Sequence, residues 1–539
     1  MAEGAGDGAA KEDRAIQDRA KDLGGKDHGG EEGGSIEDGP DTPSPSFAPT
    51  PALTPAPNPA RPLAPDHGPA SAGADPFGKL SAVLEQGRLD WQLGQAEKAL
   101  AEQPDDPRRL AVLGEVLTRL GDLDRARACF TRQAELDHGS AAALNNLGGL
   151  AMRAGDSREA CGLFDAALAI DPDNADARFN RGLCRLRLGA IPEGLADYEA
   201  RWSAWAIPKP DLGLPEWQGL AAGQDPAGKT ILLYTEQGRG DMLQATRGIA
   251  ALAALGAHPV LICPLEMGRL LASVPGLAGL IPAGAPLPPA DYAAPVMSLP
   301  HLLGWTVADL ARWMPSLAAE PGRVAQWSER LAAESTRRGV TGQPGSPGQP
   351  VTRIALAWRG NPNHLMDHER SVPLKLLGAM ISALGPGRVV LPVALHPDSL
   401  GVEEDRLRAE CGVFSPEPDP DWRQDAFVGS AALIAACDMV VTVDTVFAHL
   451  AGALGRPAVV LLPADPDWRW GERGLNSPWY PTLALLRRRP QESSQDYALR
   501  GREMILAVVE ALEQEAARSD QADGVARSEG GVRPEGAAP

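Results

Sequence analysis

The segment Val440-Val441-Thr442-Val443-Asp444-Thr445-Val446-Phe447-Ala448-His449-Leu450-Ala451-Gly452-Ala453-Leu454-Gly455-Arg456-Pro457 decides the fold class of this chain. It begins with a β-branched apolar run, which is typical of a buried strand in a parallel sheet. Asp444-Thr445 supplies side chains that begin helices, and Gly455 and Pro457 mark a helix end. Together with the apolar run Ala458 to Leu462, the order strand, helix, strand predicts a βαβ unit. Ligands bind at the carboxyl ends of such strands, and the free N–H groups that begin the helix favour a phosphate.

The length and composition of the chain limit its fold and its function. With 539 residues it is too long for one hydrophobic core, so several domains are expected. Its formal charge of -20 argues against a general nucleic-acid-binding surface. The six cysteines form no C-x-x-C pair, which predicts free thiols in a reducing compartment. We see no signal peptide and no uninterrupted apolar run that could cross a membrane, so we expect a cytoplasmic protein without a membrane span.

Three segments of the chain have the composition of unfolded or connecting sequence. Residues 1–76 are rich in glycine, alanine and acidic residues and then in proline, which predicts a disordered arm because little apolar surface can be buried. Residues 339–350 are rich in Gly, Pro and Gln and are expected to be a linker. Residues 519–539 are expected to form a disordered polar tail.

Glycine and aromatic residues recur with a period of 34 residues between residues 77 and 205. The recurring positions are Gly114, Gly148 and Gly182, and Phe130, Phe164 and Tyr198. A small residue lets two helices of a hairpin approach closely, and the aromatic ring is expected to fill the gap between neighbouring hairpins. The pattern resembles the tetratricopeptide repeat (TPR), with a degenerate first unit that carries Gly87. Such an array implies either a binding platform with a concave face or a structural brace for the domains that follow.

Two regions after the repeats alternate between apolar strands and helical segments. Residues 206–338 begin this pattern at the strand Thr230–Tyr234, and residues 351–518 begin it at Ile354–Trp358. A long helix from Tyr497 to Ala517 is expected to end the second region. The alternation predicts two Rossmann-like domains. The expected fold class is therefore α plus α/β, with an N-terminal helical array followed by a pair of Rossmann-like domains.

Short motifs occur in a fixed order along both of these regions. They are Glu236-Gln237-Gly238-x-Gly240-Asp241, Trp358-x-Gly360-Asn361-Pro362, Arg370-Ser371-x-Pro373-Leu374, Val443-Asp444-Thr445-x-x-Ala448-His449-Leu450-Ala451-Gly452, Pro466-Asp467-Trp468-Arg469-Trp470 and Ser477-Pro478-Trp479-Tyr480-Pro481. As a set they resemble the bacterial tetratricopeptide-repeat glycosyltransferases related to the heptosyltransferases. The resemblance covers the chain from Phe77 to Arg489. It implies the GT-B arrangement, in which two Rossmann-like domains face each other across a cleft.

The resemblance also implies a reaction. A hexosyl or heptosyl group would move from a nucleotide sugar to a hydroxyl of a protein or glycan, with inversion and without a metal ion. The nucleotide sugar would be a co-substrate, so no cofactor is expected, and the repeats would recruit the acceptor. No cluster of His, Cys or Asp has the spacing of metal ligands, which agrees with a metal-independent reaction.

The resemblance assigns roles to residues of both regions. Asp241, at the carboxyl end of a strand, matches the proposed base of the family; the alternative is that it only caps the helix that it opens. Arg370 matches a basic residue that suits bidentate contact with a diphosphate, the alternative being a surface arginine. The other residues expected to line the cleft or bind the donor are Gly238, Gly240, Gly360, Asn361, Asp444, Thr445 and His449.

The local chemistry of the turn after the decisive strand refines these roles. Thr445, whose hydroxyl and N–H lie at a helix start, is expected to bind phosphate. Asp444 would repel phosphate, so we expect it to accept hydrogen bonds from sugar hydroxyls. His449 lies on the same helical face, either as a ligand contact or as a buried structural histidine. The nearby tryptophans are expected to pack rather than to stack on a sugar: Trp468, Trp470 and Trp479.

Two other classes of function stay open. In the first, a catalytically silent GT-B domain serves as a scaffold and the repeats are the active surface. Arg239 and Met242 depart from the residues that are common in the family beside the acceptor loop, which leaves room for this alternative. In the second, the chain is a nucleotide-binding oxidoreductase, but neither glycine turn completes the dinucleotide fingerprint.

Overall fold

The computed structural model describes residues 78–137, 139–339, 351–361, 367–382, 384, 388–395, 401–417 and 425–529. The predicted arm at residues 1–76, linker residues 340–350, Pro362 and tail residues 530–539 lie outside these ranges. All six cysteines of the chain are free thiols. In the part of the chain that is described, no helix is both long and apolar enough to cross a membrane.

The first elements form the predicted helical array. Helix α1 (Gly78–Glu102) precedes the helical hairpins α2/α3, α4/α5 and α6/α7, whose bounds are Pro107–Leu120, Leu123–Leu136, Ala141–Arg153, Ser157–Ile170, Ala175–Arg187 and Ile191–Tyr198. Helices α2 to α6 each begin with a side chain that accepts a hydrogen bond from a backbone N–H group: Asp106, Asp122, Ser140, Asp156 and Asn174. The degenerate first unit is one long helix rather than a hairpin, and Gly87 lies inside that helix.

The first two periodic glycines lie under the periodic aromatic rings, whereas Gly182 lies against the backbone of Asp197 and Tyr198. A Cβ atom at Gly114 would lie 2.5 Å from Cε1 of Phe130, and one at Gly148 would lie 2.6 Å from Cε1 of Phe164. Both rings are fully buried. Each ring therefore packs on the glycine of its own hairpin, and its buried cluster also contains residues of the next hairpin, such as Leu147 for Phe130 and Cys184 for Phe164. The missing methyl group is what lets the two helices of a hairpin approach.

Replacing Gly114 by alanine is expected to lower the free energy of unfolding by about 1–3 kcal/mol, because the new methyl group must displace the Phe130 ring. Gly162 is a matched control, since it also lies in a repeat helix and no described atom lies within 4 Å of a Cβ placed there. Alanine at Gly162 is expected to stabilise the protein by about 0.5–1 kcal/mol. Urea unfolding of both variants measures the difference. Equal effects would contradict the packing described.

The first α/β domain follows a short helix, α8 (Arg201–Ala204). Its strands are parallel and lie in the order β3-β2-β1-β4, with bounds Thr230–Tyr234 (β1), His258–Cys263 (β2), Gly279–Pro282 (β3) and Tyr292–Pro295 (β4). Its helices are α9 (Arg239–Ala254), α10 (Gly268–Leu271), α11 (Leu299–Leu302) and α12 (Pro321–Arg337). Helix α9 starts within the glycine turn that follows β1, with Gly238 as its N-cap residue, so the turn lies at the carboxyl edge of the sheet.

The second α/β domain is also parallel and has the strand order β6-β5-β7-β8-β9. Its strands are Val351–Ala357 (β5), Val389–Ala394 (β6), Met439–Val443 (β7), Ala458–Leu462 (β8) and Leu483–Arg487 (β9). Its helices are Asp367–Arg370 (α13), Leu374–Ile381 (α14), Val402–Glu410 (α15), Val428–Ala436 (α16), Val446–Ala453 (α17) and Ser494–Glu529 (α18). The unit β7–α17–β8 is the predicted βαβ unit. Strand β9 was not predicted, and α18 continues past the end expected near residue 518.

The last repeat and both α/β domains contribute to one hydrophobic core. Phe179 and Tyr198 of the array lie in the same buried cluster as Ile231 of β1 and Leu450 of α17. Two tryptophans between the repeats and β1 are buried in this cluster and help to hold the array on the first α/β domain: Trp205 and Trp217. Helix α9 of the first domain packs directly on α17 of the second. The fold class predicted from sequence is confirmed, and the shared core favours the brace interpretation for the last repeat.

Candidate functional site

Two helix starts, one from each α/β domain, meet at the candidate site. The turn Gly238–Asp241 opens α9 after β1, and Asp444-Thr445 opens α17 after β7. A Cβ atom at Gly240 would lie 2.8 Å from Cδ2 of His449. Only glycine lets the first turn approach the histidine of the second domain this closely. The structure therefore brings together the two turns that the sequence singled out.

Asp241 both caps its helix and forms an ion pair across the domain boundary. Its Oδ2 accepts a hydrogen bond from the Gly238 N–H at 3.0 Å, and its Oδ1 lies 2.5 Å from Nη2 of Arg469. Burial raises the pKa of the Asp241 carboxyl, and the Arg469 guanidinium opposes that rise. A raised pKa moves a carboxylate toward the range that suits a general base. The cap role is observed, and the base role stays a prediction.

Arg469 is the residue of this site that the sequence analysis missed. Its guanidinium is buried, with Nε donating to Oε1 of Gln244 at 2.5 Å and Nη1 donating to Oδ1 of Asp467 at 2.9 Å. It also lies over the Trp468 ring, 4.3 Å from the centroid. The motif Pro466–Trp470 contained the arginine, but nothing in its spacing points to a carboxylate in the other domain.

Thr445 is the N-cap residue of α17. Its hydroxyl accepts a hydrogen bond from the Phe447 N–H at 3.4 Å and lies 3.3 Å from the Thr442 hydroxyl. The hydroxyl therefore satisfies one backbone donor of its own helix, as N-cap threonines do. Phosphate binding by Thr445 stays a prediction.

Arg370 reaches the same turn from α13. Its Nη1 donates to the backbone carbonyl of Asp444 at 3.3 Å, and its Nε donates to Oδ1 of Asp367 at 3.0 Å. A Cβ atom at Gly360 would lie 2.5 Å from Nη2 of Arg370, so this glycine makes room for the guanidinium. Asn361, the next residue, is exposed. Gly360, Arg370 and Asp444 thus lie together, whereas their contact with a donor stays a prediction.

His449 is buried, with 6% of its surface exposed. Its Nδ1 lies 2.9 Å from the Tyr480 hydroxyl, and its ring stacks on Trp470 with the centroids 5.4 Å apart. Burial and the nearby guanidinium groups of Arg469 and Arg247 lower the pKa of His449 well below its ordinary value. The imidazole is therefore neutral at pH 7 and already held by its neighbours. The tryptophans of this region are buried and serve packing, as expected: Trp468, Trp470 and Trp479.

Asp444 is a carboxylate whose ionised form is unfavourable in the folded state. Burial and the nearby carboxylate of Asp467 raise the pKa of Asp444 to about 6. In the unfolded chain the pKa of an aspartate is about 3.9. At pH values between these two pKa values, the folded state therefore holds the proton that the unfolded chain has lost. Stability contributed by this group is present at low pH and is lost as the pH rises through this window.

Replacing Asp444 by asparagine is expected to raise the free energy of unfolding at pH 7 by up to about 3 kcal/mol, because the unfavourable charge is removed. The gain is expected to shrink as the pH is lowered toward 4, where the folded wild-type carboxyl is already protonated. Urea unfolding at several pH values measures this dependence. Asp173→Asn, at an exposed aspartate of the array, is the control. A destabilised Asp444→Asn variant at pH 7 would contradict the assignment.

Other features of the described residues do not belong to this site. An open cavity of about 440 Å³ lies elsewhere and contains none of the predicted residues; its lining is Arg269, Glu320, Gly322, Arg323, Gln326, Trp327 and Arg330. Across the described ranges, no group of three or more His, Cys, Asp and Glu side chains is arranged to hold a metal ion.

Comparison with known families finds matches in two separate segments of the chain. Residues 111–175 and 145–205 match the tetratricopeptide repeat family, and residues 427–495 match glycosyltransferase family 9 (heptosyltransferase). The second match contains α17 and Arg469. The chain is also 25% identical over 487 residues to the protein FlbA of Caulobacter vibrioides, with 78% of this chain and 75% of FlbA covered.

Two of the solved structures that this chain resembles match about a quarter of it. TTC0263, a thermophilic TPR protein in Thermus thermophilus, is 21% identical, with 24% of this chain and 74% of that chain covered and a TM-score of 0.21. MamA from Desulfovibrio magneticus RS-1 is 20% identical, with 24% and 77% covered and a TM-score of 0.19. The family matches support glycosyltransferase activity. The chain combines tetratricopeptide repeats with a segment that matches glycosyltransferase family 9 (heptosyltransferase).

Proposed function

We propose that this chain transfers a sugar from a nucleotide sugar to a hydroxyl group of a protein or glycan, with inversion and without a metal ion. The observation that carries the proposal is the meeting of the two helix starts. Gly240 lies against His449, and Asp241 lies against Arg469, so a carboxylate of one domain stands beside the helix start of the other. This is where a base and a leaving diphosphate must be close together.

In the proposed reaction, Asp241 takes the proton of the acceptor hydroxyl while the oxygen of that hydroxyl forms a bond to the anomeric carbon. The bond from that carbon to the diphosphate oxygen breaks, and the diphosphate leaves with the electron pair. Arg370 and the N–H groups that begin α17 would stabilise the negative charge on the leaving group. Asp444, which cannot stabilise that charge, would orient the sugar through its hydroxyl groups.

The proposed role of the repeat array is to recruit the acceptor. Its last hairpin, α6/α7, is fixed in the common core through Phe179 and Tyr198. The earlier hairpins, α2/α3 and α4/α5, are the part that would present an acceptor protein or glycan. Recruitment by a platform next to the site raises the local concentration of the acceptor.

A catalytically silent scaffold is the second candidate, and one observation favours it. The two carboxylate oxygens of Asp241 are already engaged, by the Gly238 N–H and by Arg469. A carboxylate has about four lone-pair sites, so these contacts leave room for one acceptor hydroxyl. Both contacts nevertheless favour the ionised carboxylate and so oppose the rise in the pKa of Asp241 that burial causes, as expected of a base that has lost its function.

A panel of UDP-, GDP-, ADP- and CMP-sugars tests the proposal. A nucleotide sugar that binds the native state must raise the melting temperature, by mass action. The proposal predicts such a shift for one nucleotide class, together with release of the nucleoside phosphate product. A shift without any turnover favours the scaffold. Turnover that needs an added divalent cation would contradict the metal-independent mechanism.

A further inference from the structure

The turn Asp465–Glu472 lies between the repeat array and Asp241. Behind the turn is the last repeat helix pair: Nη2 of Arg187 lies 2.6 Å from Oδ1 of Asp465, and the Glu472 N–H donates to the Arg187 carbonyl at 3.1 Å. The Arg187 side chain is only 4% exposed, so this contact is buried on the side of the array. The turn is therefore fastened at both of its ends to one residue of the array.

The middle of the turn is also held by the array. The Tyr198 ring lies 5.6 Å from the Trp468 ring, centroid to centroid. The Tyr198 hydroxyl is also hydrogen-bonded to the side chain of Gln237. Gln237 directly precedes Gly238, which begins the glycine turn. One tyrosine of the array thus contacts both of the segments that carry the candidate base and its arginine partner.

In front of the turn, Arg469 is the partner of Asp241. The segment that carries Arg469 is a single 3-10 turn, Trp468–Trp470, which has few backbone hydrogen bonds of its own, so its position is set by the side chains packed around it. An ion pair as short as 2.5 Å loses strength quickly when one partner moves. The strength of the Asp241–Arg469 contact therefore depends on what holds the turn. Arg187 and Tyr198 hold it from the array side, and the stack of Trp470 on His449 holds it from the donor side.

A second contact of the same kind joins the array to the donor side. Nη2 of Arg153, on α4, lies 3.3 Å from Oε1 of Glu369, the residue before Arg370. Two repeat helices, α4 and α6, thus each place an arginine on a segment that carries a candidate cation of the site. Independent surface contacts would not be expected to select these two segments.

We propose that the last repeat is a positioning element of the site: through Arg187 and Tyr198 it holds the Asp465–Glu472 turn so that Arg469 stays on Asp241. The array then does more than brace the core. A displacement of its last hairpin, for example when a partner binds the array, changes whether Asp241 is paired with Arg469 or open to a substrate. Only this consequence for turnover rests on the proposed function.

A double-mutant cycle in the full chain tests the inference without any substrate. The variants are Arg187→Ala, Asp241→Asn and the pair, and urea unfolding gives the equilibrium constant of each. Arg187 and Asp241 share no contact, so independent sites would have multiplicative effects. We expect the change in the unfolding equilibrium constant of the double variant to be about tenfold smaller than the product of the two single changes. The reason is that Arg187→Ala already weakens the contact between Asp241 and Arg469, so Asp241→Asn then removes less. Agreement with the product within about twofold would overturn the inference.

Matched variants keep the test decisive. Arg187→Lys retains a cation beside Asp465. In this variant Asp241→Asn is expected to destabilise the protein nearly as much as it does in the wild type, a result that would not be expected if Arg187 contributed only packing. Arg109→Ala breaks ion pairs inside the array, to Glu102 and Asp106, and is expected to be independent of Asp241→Asn. If Arg187→Ala does not fold, Asp465→Asn replaces it from the other side of the same ion pair. Coupling without turnover supports the inference while contradicting the proposed function; turnover without coupling does the reverse.

Discussion

Replacing Asp241 by asparagine is expected to lower glycosyl transfer by about 10²–10⁴-fold while nucleotide-sugar binding changes little. The amide has nearly the shape of the carboxylate, and its oxygen can still accept the hydrogen bond from the Gly238 N–H. It cannot take a proton from an acceptor hydroxyl. The loss should therefore appear in the chemical step, as a lower kcat, with the KM for the donor nearly unchanged.

The control for this variant must also cap a helical turn with an aspartate. Asp309 does so in the same domain, since its Oδ2 accepts from the Thr306 N–H at 2.9 Å, and it is not part of the candidate site. Asp309→Asn is expected to leave turnover unchanged. Rates of sugar transfer and donor affinities are measured for both variants. If Asp241→Asn and Asp309→Asn behave alike, Asp241 only caps its helix.

Replacing Arg201 by alanine is expected to lower the free energy of unfolding by about 3–5 kcal/mol. The guanidinium is fully buried, with Nε 2.8 Å from one oxygen of Glu236 and Nη2 2.7 Å from the other. It also donates to Glu199 and Ser298. Without it, Glu236 would be left as a buried carboxylate with no cation beside it. Because Glu236 leads into the glycine turn, we expect the turn to be disturbed as well.

Chemical unfolding of three variants checks this expectation. Arg201→Met combined with Glu236→Gln removes both charges and is expected to recover part of the stability lost in Arg201→Ala, because no buried charge is left unpaired. Arg125→Ala breaks an exposed ion pair with Glu97 and is expected to have little effect. A loss in Arg201→Ala no larger than that in Arg125→Ala would contradict the structural role of this arginine.

Features with a local signature could be predicted from the sequence. The 34-residue period identified the repeats, and the order apolar run, polar turn, helix and apolar run identified β7–α17–β8. Strand β9 was missed because the short apolar run Leu483–Arg487 lies in a loop-like, proline-rich context. The single long helix α1 was interpreted as a degenerate repeat because one glycine and one proline near it lie at positions that fit the 34-residue period.

The sequence predicts the residues that each α/β domain contributes to the candidate site, but not the contacts between the two domains. Asp241 and Thr445 follow strands and lie at helix starts, so their position at a sheet edge follows from the chain order. The partner of Asp241 is different: Arg469 lies in the other domain, and only the packing of α9 on α17 brings them together. The same holds for Arg187 and Asp465, where a repeat helix meets a donor-side turn. Contacts of this kind leave no periodic trace in one sequence.

Hydrogen exchange of the full chain with each of the UDP-, GDP-, ADP- and CMP-sugars tests the location of the site most directly. Bound ligand slows exchange where it orders or covers backbone N–H groups. The account predicts that one nucleotide class protects the turn Gly238–Asp241 and the helix start Asp444–His449 together, one in each domain. Protection confined to the cavity lined by Arg269 and Trp327, or no protection with any of the four, would contradict it.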